Sequence, residues 1–375
     1  MAHSDMGSKR IALFRPWIRE ESIEAVSSTL RSGWLGLGPR TKEFEEVFAA
    51  YLGAKHCVGV SSGTAALQLA LHVLDLPPGT EVVTSPLTFV SANLVLLHEG
   101  LRPVFADVQP RTGNIDPASV AKLVGERTGA VMVMHYGGYP CDLDELYGLL
   151  RPRGIPLIED CAHAAGAVYR GGRIGSHGDL HAYSFQAAKN LPAGDGGALA
   201  VRSDAFDERL RRLRLHGITA SAFDRSAGVS YRWDYGVSEL GFKQHMNDVI
   251  ATIALAQLAF LDEDNMRRGD IVARYRAGLA GVPGLELLEQ ESDRTSANHL
   301  CCVLVESRDA LVDRLAEHGI ETGVHYRPSY DYPLFTGEQL PGVESFWRRA
   351  VSLPLHLGLS DEDVDRVIET IREGW

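Results

Sequence analysis

The segment Ser184-Phe185-Gln186-Ala187-Ala188-Lys189-Asn190-Leu191 sets one lysine among small and apolar residues, just before the glycine turn Gly194-Asp195-Gly196-Gly197. A surface lysine usually keeps polar company. In an apolar setting the ammonium is disfavoured, its pKa falls from ~10.4, and the amine is freed as a nucleophile. The competing reading is an exposed loop lysine. A second candidate is Asp160 in Ile158-Glu159-Asp160-Cys161-Ala162-His163-Ala164, which closes an apolar strand pattern. Its carboxylate either caps the next segment or holds a cationic ring nitrogen. His163 has three readings: a group that stacks on or orients a ring, a metal ligand, or a helix-face histidine. No H-x-x-x-H or H-E-x-x-H spacing surrounds it, so no metal site is expected.

A third candidate is Ser61-Ser62-Gly63-Thr64-Ala65-Ala66-Leu67, which follows a strand pattern and opens a helical one. Small residues at a helix N-terminus let backbone N–H groups approach a phosphate, and the helix dipole favours the anion. The same stretch contains Gly59-Val60-Ser61-Ser62-Gly63, a G-x-S-x-G match that would make Ser61 the nucleophile of a serine hydrolase. No glycine-rich oxyanion segment precedes it.

Taken together, these pieces describe what pyridoxal phosphate requires. Gly63, Thr64 and Ser184 form a phosphate cup, Asp160 an acid for the pyridinium nitrogen, and Lys189 the Schiff-base lysine. Asp160 precedes Lys189 by 29 residues, which allows both to come from neighbouring strand ends. Phe89, in Pro86-Leu87-Thr88-Phe89, offers a platform for the flat ring. Its other reading is a core phenylalanine at a helix start.

The elements that must position these groups alternate. Strands are expected at 56–60, 81–84, 104–107, 131–135, 156–160, 182–185 and 198–201, and helices at 64–75, 89–98 and 142–150. Such β/α alternation predicts an α/β fold with a mostly parallel sheet flanked by helices, and ligand sites at the carboxyl ends of its strands. After Asn247 the texture changes to one long helical pattern, 248–279. A strand at 299–305, a helix at 310–318 and a last helix with Ser360 and Asp363 in capping-box positions follow. The expected organisation is an N-terminal arm (1–20), a large cofactor domain (21–255) and a smaller α+β C-terminal domain (256–375).

Composition limits the function. The 375 residues carry 37 basic and 49 acidic side chains, net −12, a poor balance for nucleic-acid or anionic-membrane binding. The five cysteines are Cys57, Cys141, Cys161, Cys301 and Cys302. They form no C-x-x-C pair and read as reduced thiols of a cytoplasmic protein. Met1–Arg10 shows no apolar signal region, and the longest apolar stretch, near 251–261, is about half a membrane span.

The chain resembles the DegT/DnrJ/EryC1/StrS family of sugar aminotransferases, of the fold type I pyridoxal phosphate class. Seven elements carry the resemblance in order. They are Gly33-Trp34-Leu35, Ser62 to Leu67, Thr88-Phe89, His135-Tyr136 with Pro140 to Asp144, Glu159 to Ala164, Ser184-Phe185 with Lys189-Asn190-Leu191, and Gly196-Gly197-Ala198. The resemblance implies that Ser62, Gly63, Thr64 and Ser184 bind phosphate and that Phe89 stacks on the ring. It implies that Asp160 binds the ring nitrogen, that His163 lies against the ring or its O3′, and that Lys189 carries the cofactor. A lysine at 189 also favours transamination, because family dehydratases carry histidine there. The resemblance further implies a homodimer with shared sites, in which Lys243 reaches the partner's cofactor phosphate. The chain departs from the family pattern at Gln244 and His245. His325-Tyr326-Arg327-Pro328 resembles the family's H-Y-x-P substrate loop, although the second histidine beyond that proline is replaced within Ser329-Tyr330-Asp331. Trp34, Arg232, His325, Tyr326 and Arg327 are the substrate candidates, the two arginines for a diphosphate. The implied reaction moves an amino group from glutamate to a nucleotide-linked keto-sugar, giving an amino sugar. The alternatives are another keto acceptor such as an inosose, the Ser61 hydrolase, and a non-catalytic binder of pyridoxal phosphate or sugar.

Overall fold

The computed structural model describes residues 10–219 and 235–375. Seven strands form the main sheet, in the spatial order His56–Val60, Gly197–Val201, Leu180–Ser184, Leu157–Asp160, Thr128–Met134, Glu81–Thr84 and Arg102–Phe105. From Leu180–Ser184 outward every neighbour is parallel, whereas Gly197–Val201 runs antiparallel to both of its partners. The sheet is therefore mostly parallel, as the β/α alternation predicts. Its central strands are apolar on both faces because helices cover both. Phe44, Phe48, Leu143 and Leu146 pack one face, and Leu69, Val95 and Leu210 the other.

Register decides where chemistry can collect. Met134 pairs with Asp160, and Asp160 with Ala182, so three parallel strands end nearly level. The segments that leave them carry His135, His163 and Lys189. The helix Gly63–His72 starts at the same side, with the Ser62 hydroxyl accepting from Ala65 N–H at 3.1 Å. That bond satisfies one of the orphan donors of the first turn and fixes the start of the helix.

A second sheet of Leu285–Leu287, Cys301–Val305 and Ala350–Leu353 is antiparallel throughout. Ile271 and Tyr275 of the helix Leu261–Leu279 and Val364 and Val367 of the helix Asp361–Arg372 share its core, together with Ile11 from the N-terminal segment. The capping box of the last helix is present, with Asp363 N–H on Ser360 Oγ at 3.1 Å and Ser360 N–H on Asp363 Oδ2 at 3.3 Å.

Several boundaries shift by a few residues, three of them at places that bear on the site or the second sheet. The pattern at 248–279 is two helices, Asp248–Leu258 and Leu261–Leu279. The chain breaks at Phe260, whose φ of −113° and ψ of 0° lie outside the helical range, and Asp262, Glu263 and Asp264 supply the negative charge a new helix N-terminus favours. The helix expected from Phe89 starts at Ser91, which leaves Phe89 in the loop and 55% exposed. That exposure excludes the core-phenylalanine reading. The strand expected from His299 starts at Cys301, because His299 and Leu300 N–H instead donate to the Gly137 carbonyl at 2.9 and 3.2 Å. Among the described residues no helix is long and apolar enough to cross a membrane.

One buried charge cluster ties the periphery to the sheet. Glu45 receives Gly59 N–H at 2.8 Å and pairs with Arg211 and Arg214. Burial opposes its charge, but the two guanidiniums prevail and hold its carboxyl below the usual range. Glu45→Ala leaves Arg214 buried and uncompensated. It should lower the urea-unfolding free energy by about 3–5 kcal/mol.

Candidate active site

Asp160 and Lys189 meet at the carboxyl ends of the parallel strands. Asp160 is buried, and its Oδ1 accepts Ala162 N–H at 3.0 Å. Burial raises its pKa, while that N–H, Lys189 and His135 act in the opposite direction. Lys189 sits on a tight loop in which Ala187 N–H donates to Gly194 at 3.1 Å and Lys189 N–H to Gln186 at 2.8 Å. Burial pushes its amine down to about 8, against the pull of the Asp160 carboxylate. An amine with that pKa keeps about a tenth of its population neutral, hence nucleophilic, near pH 7, far more than an ordinary lysine does.

Imidazoles and a phenol line the neighbouring wall. His163 Nε2 lies 3.1 Å from the Tyr326 hydroxyl, and its Nδ1 is buried without a protein partner. Its ring lies 4.2 Å from that of His299. The Tyr326 ring also meets Phe89 at 5.9 Å. His325 turns away to Ser352 Oγ at 2.8 Å, and burial followed by the Lys189 charge pushes it down to about 4. Burial likewise holds His163 and His299 well below the usual histidine value. Of the sequence candidates, Asp160, Lys189, His163, Tyr326 and Phe89 therefore gather in one place.

Two of the residues expected to form the anion cup also lie together. Gly63 lies against Ser184 so closely that a Cβ on residue 63 would meet the serine Cβ at 2.7 Å. Ser62 caps the helix, and Thr64 is exposed at its first turn. Other candidates stand apart. Trp34 is held on its own loop, its indole N–H donating to Leu37 O at 3.2 Å. Lys243 is exposed, in a segment that bridges to Leu215. Arg327 is exposed and engages the Asp331 carbonyl at 3.1 Å. Arg232 lies outside the described residues.

Two groups lacked a role in the sequence reading. His299 is one; its only signal is a histidine heading an apolar strand. Glu159 is the other. Fully buried, it faces His135 Nε2 at 3.0 Å, His181 Nε2 at 3.1 Å and the Tyr147 hydroxyl. Burial opposes its charge, yet the two histidines hold its carboxyl far below the usual range. His135, Glu159 and Cys161 offer ligand-type atoms within 4.8 Å of one another. Those atoms are already engaged: His135 Nδ1 accepts Cys141 N–H at 3.1 Å, and Cys161 Sγ donates to the Glu159 carbonyl at 3.4 Å. The Ser61 hydrolase reading fails on geometry. A nucleophile elbow is a strained turn, and positive φ among described non-glycine residues is confined to Asp75, Arg170, His216 and Asn298.

Comparison with known proteins agrees with this geometry. The model of the DegT/DnrJ/EryC1/StrS aminotransferase family matches residues 16–372. The spore coat polysaccharide biosynthesis protein SpsC of Bacillus subtilis is 40% identical, over 96% of this chain and 95% of its own length. The crystal structure of the sugar aminotransferase CalS13 from Micromonospora echinospora superposes with a TM-score of 0.90 at 35% identity, covering 97% of this chain and all of that one. A Streptococcus pneumoniae chain, 32% identical, is solved in a PMP form with a TM-score of 0.91, over 97% of this chain and 98% of its own.

If burial sets the Lys189 amine, its acylation in cofactor-free protein should titrate with a midpoint near 8. Peptide mapping of labelled Lys189 against pH measures this. A midpoint at the ordinary ~10.4 would exclude the desolvated setting.

Proposed function

The chain belongs to the DegT/DnrJ/EryC1/StrS aminotransferase family, and from that premise we propose that it transfers the amino group of glutamate to a nucleotide-linked keto-sugar. It is a pyridoxal-phosphate-dependent aminotransferase of the sugar type, with an amino-acid donor and a sugar acceptor. The assignment of Asp160 and Lys189 to the cofactor rests on one observation: a buried carboxylate and a depressed lysine amine share the carboxyl ends of neighbouring strands.

The residues present suit the cofactor. The close approach of Gly63 to Ser184 leaves backbone and hydroxyl groups, with no side chain between them, at a helix N-terminus. The orphaned Nδ1 of His163 is a polar atom that awaits a partner. Ser62, Gly63, Thr64 and Ser184 would hold the phosphate, Asp160 the ring nitrogen, and Phe89 and His163 the ring. Lys189 would be the point of covalent attachment. When bound, the cofactor supplies an electron sink that lets the donor's Cα–H bond ionise.

The chain's own groups do the rest. Asp160 would keep the ring nitrogen of the bound cofactor protonated. Lys189 Nζ, once free, takes the Cα proton, and its low pKa suits a base working near neutrality. Tyr326 and His163 hold each other in place beside it. Arg327, with Arg232, would meet the sugar's diphosphate. Exposed apolar residues of the N-terminal region, Ile18, Ile23, Leu30 and Leu35, support a homodimer in which Lys243 reaches the partner's site. Five buried, unpaired cysteines are in keeping with a cytoplasmic location. The likeness to a spore coat polysaccharide protein supports an amino sugar destined for a surface polysaccharide.

The purified protein should absorb visible light, lose that band on adding glutamate, and regain it when a nucleotide keto-sugar follows. A band insensitive to glutamate would exclude that donor. Lys189→Ala should leave no borohydride-trapped cofactor; trapping in that variant would overturn the attachment site. Asp160→Asn should keep its fold and lose about a hundredfold or more in kcat. A rate near the parent's with cofactor bound would overturn the role given to Asp160.

A further inference from the structure

We infer that His299 is a positioning residue for this site, joining the His163 turn and the Lys189–Asn190 loop into one closed circuit. The inference rests on the reading of Lys189, Asp160 and His163 as cofactor-handling residues. The circuit begins two residues beyond His163, where the Ala165 carbonyl accepts Asn265 Nδ2 at 2.9 Å. Asn265 Oδ1 then accepts Asn190 Nδ2 at 2.8 Å, and that same nitrogen donates to the Ala297 carbonyl at 2.6 Å. A carbonyl can only accept, so both amides are fixed in orientation and Asn190 Oδ1 is left as an acceptor. It faces His299 Nδ1 at 3.0 Å, which places the ring proton on Nδ1. The His299 ring then lies against His163 at 4.2 Å and closes the circuit.

The surroundings leave His299 little freedom. Phe14 stacks on it, centroids 5.7 Å apart and planes 8° apart. Asn298, just before it, has a φ of 52°, a conformation asparagine tolerates better than most residues. At Gly138 a Cβ would come 2.7 Å from the His163 carbonyl and 3.2 Å from His299 N. The three segments thus touch where only glycine fits. Because Asn190 follows Lys189 directly, displacing His299 loosens the lysine loop and frees the His163 ring together.

Three variants separate the two halves of the circuit. His299→Ala removes both, His299→Asn keeps a donor for Asn190, and His299→Phe keeps a ring against His163. One readout is the acylation midpoint of Lys189 in cofactor-free protein, where Lys189 faces Asp160, His163, His325 and His299. The other is kcat/KM of the holoenzyme. In His299→Ala and His299→Phe, water reaching the loop should raise the midpoint from about 8 toward ~10.4. His299→Asn should keep the parent midpoint while losing about a hundredfold in kcat/KM through the freed His163. A folded His299→Ala protein with the parent's midpoint and kcat/KM would overturn the proposal. If that variant fails to fold, parent-like values for both readouts in the Asn and Phe variants would overturn it equally. Borohydride trapping at Lys189 in the parent protein is the control. Its failure would reject the site reading, whereas parent-like variants with trapping intact would reject His299 alone.

Discussion

Three parallel strands ending in register, through the Met134–Asp160 and Asp160–Ala182 pairs, are what the polar groups of this molecule depend on. A parallel sheet covered on both faces has almost nowhere to place a charged side chain except where its strands end. Asp160 is the last residue of its strand, His135 and His163 follow strand ends, and Lys189 arrives on the loop beyond the neighbouring strand. The antiparallel strand Gly197–Val201 then returns beside that loop and holds its base, with Phe185 N–H on the Gly196 carbonyl at 2.9 Å.

Burial sets the electrostatics of the site. It disfavours charge on Lys189 and on the three imidazoles His163, His299 and His325, and the Lys189 charge lowers each imidazole further. The imidazoles are thereby kept close to neutral, and the amine gives up its proton more readily than an ordinary lysine does. The buried Glu159, one residue behind Asp160, shows the opposite outcome. His181 on the neighbouring strand and His135 just beyond the end of another hold it charged in spite of burial. Adjacent residues on one strand face opposite sides of the sheet. The acid at the site and the acid beneath it can therefore differ in state although they are neighbours in sequence.

Much of the fold was legible because its signals are local. Apolar strands of four to seven residues, small residues at a helix start, and Ser360 with Asp363 each act over a few positions. Boundaries drifted where a tertiary partner intervened. His299 and Leu300 give their N–H groups to Gly137 and not to the sheet, and the helix break at Phe260 coincides with the Arg19 guanidinium lying 4.1 Å from its ring. Neither contact has a signal at short range in the sequence.

The sequence alone determined the kind of residues available: a lysine in apolar company, an acid at a strand end, and small residues before a helix. Those are one-dimensional facts, because composition and spacing fix local burial and capping. Which of them meet was decided by tertiary structure. Tyr326 joins His163 across 163 residues, and His299 joins Asn190 across 109, while Trp34 and Arg327 engage their own loops. Such pairings depend on how the helices and the second sheet pack against the strand ends. Packing geometry is set by many side chains at once, and no single motif encodes it.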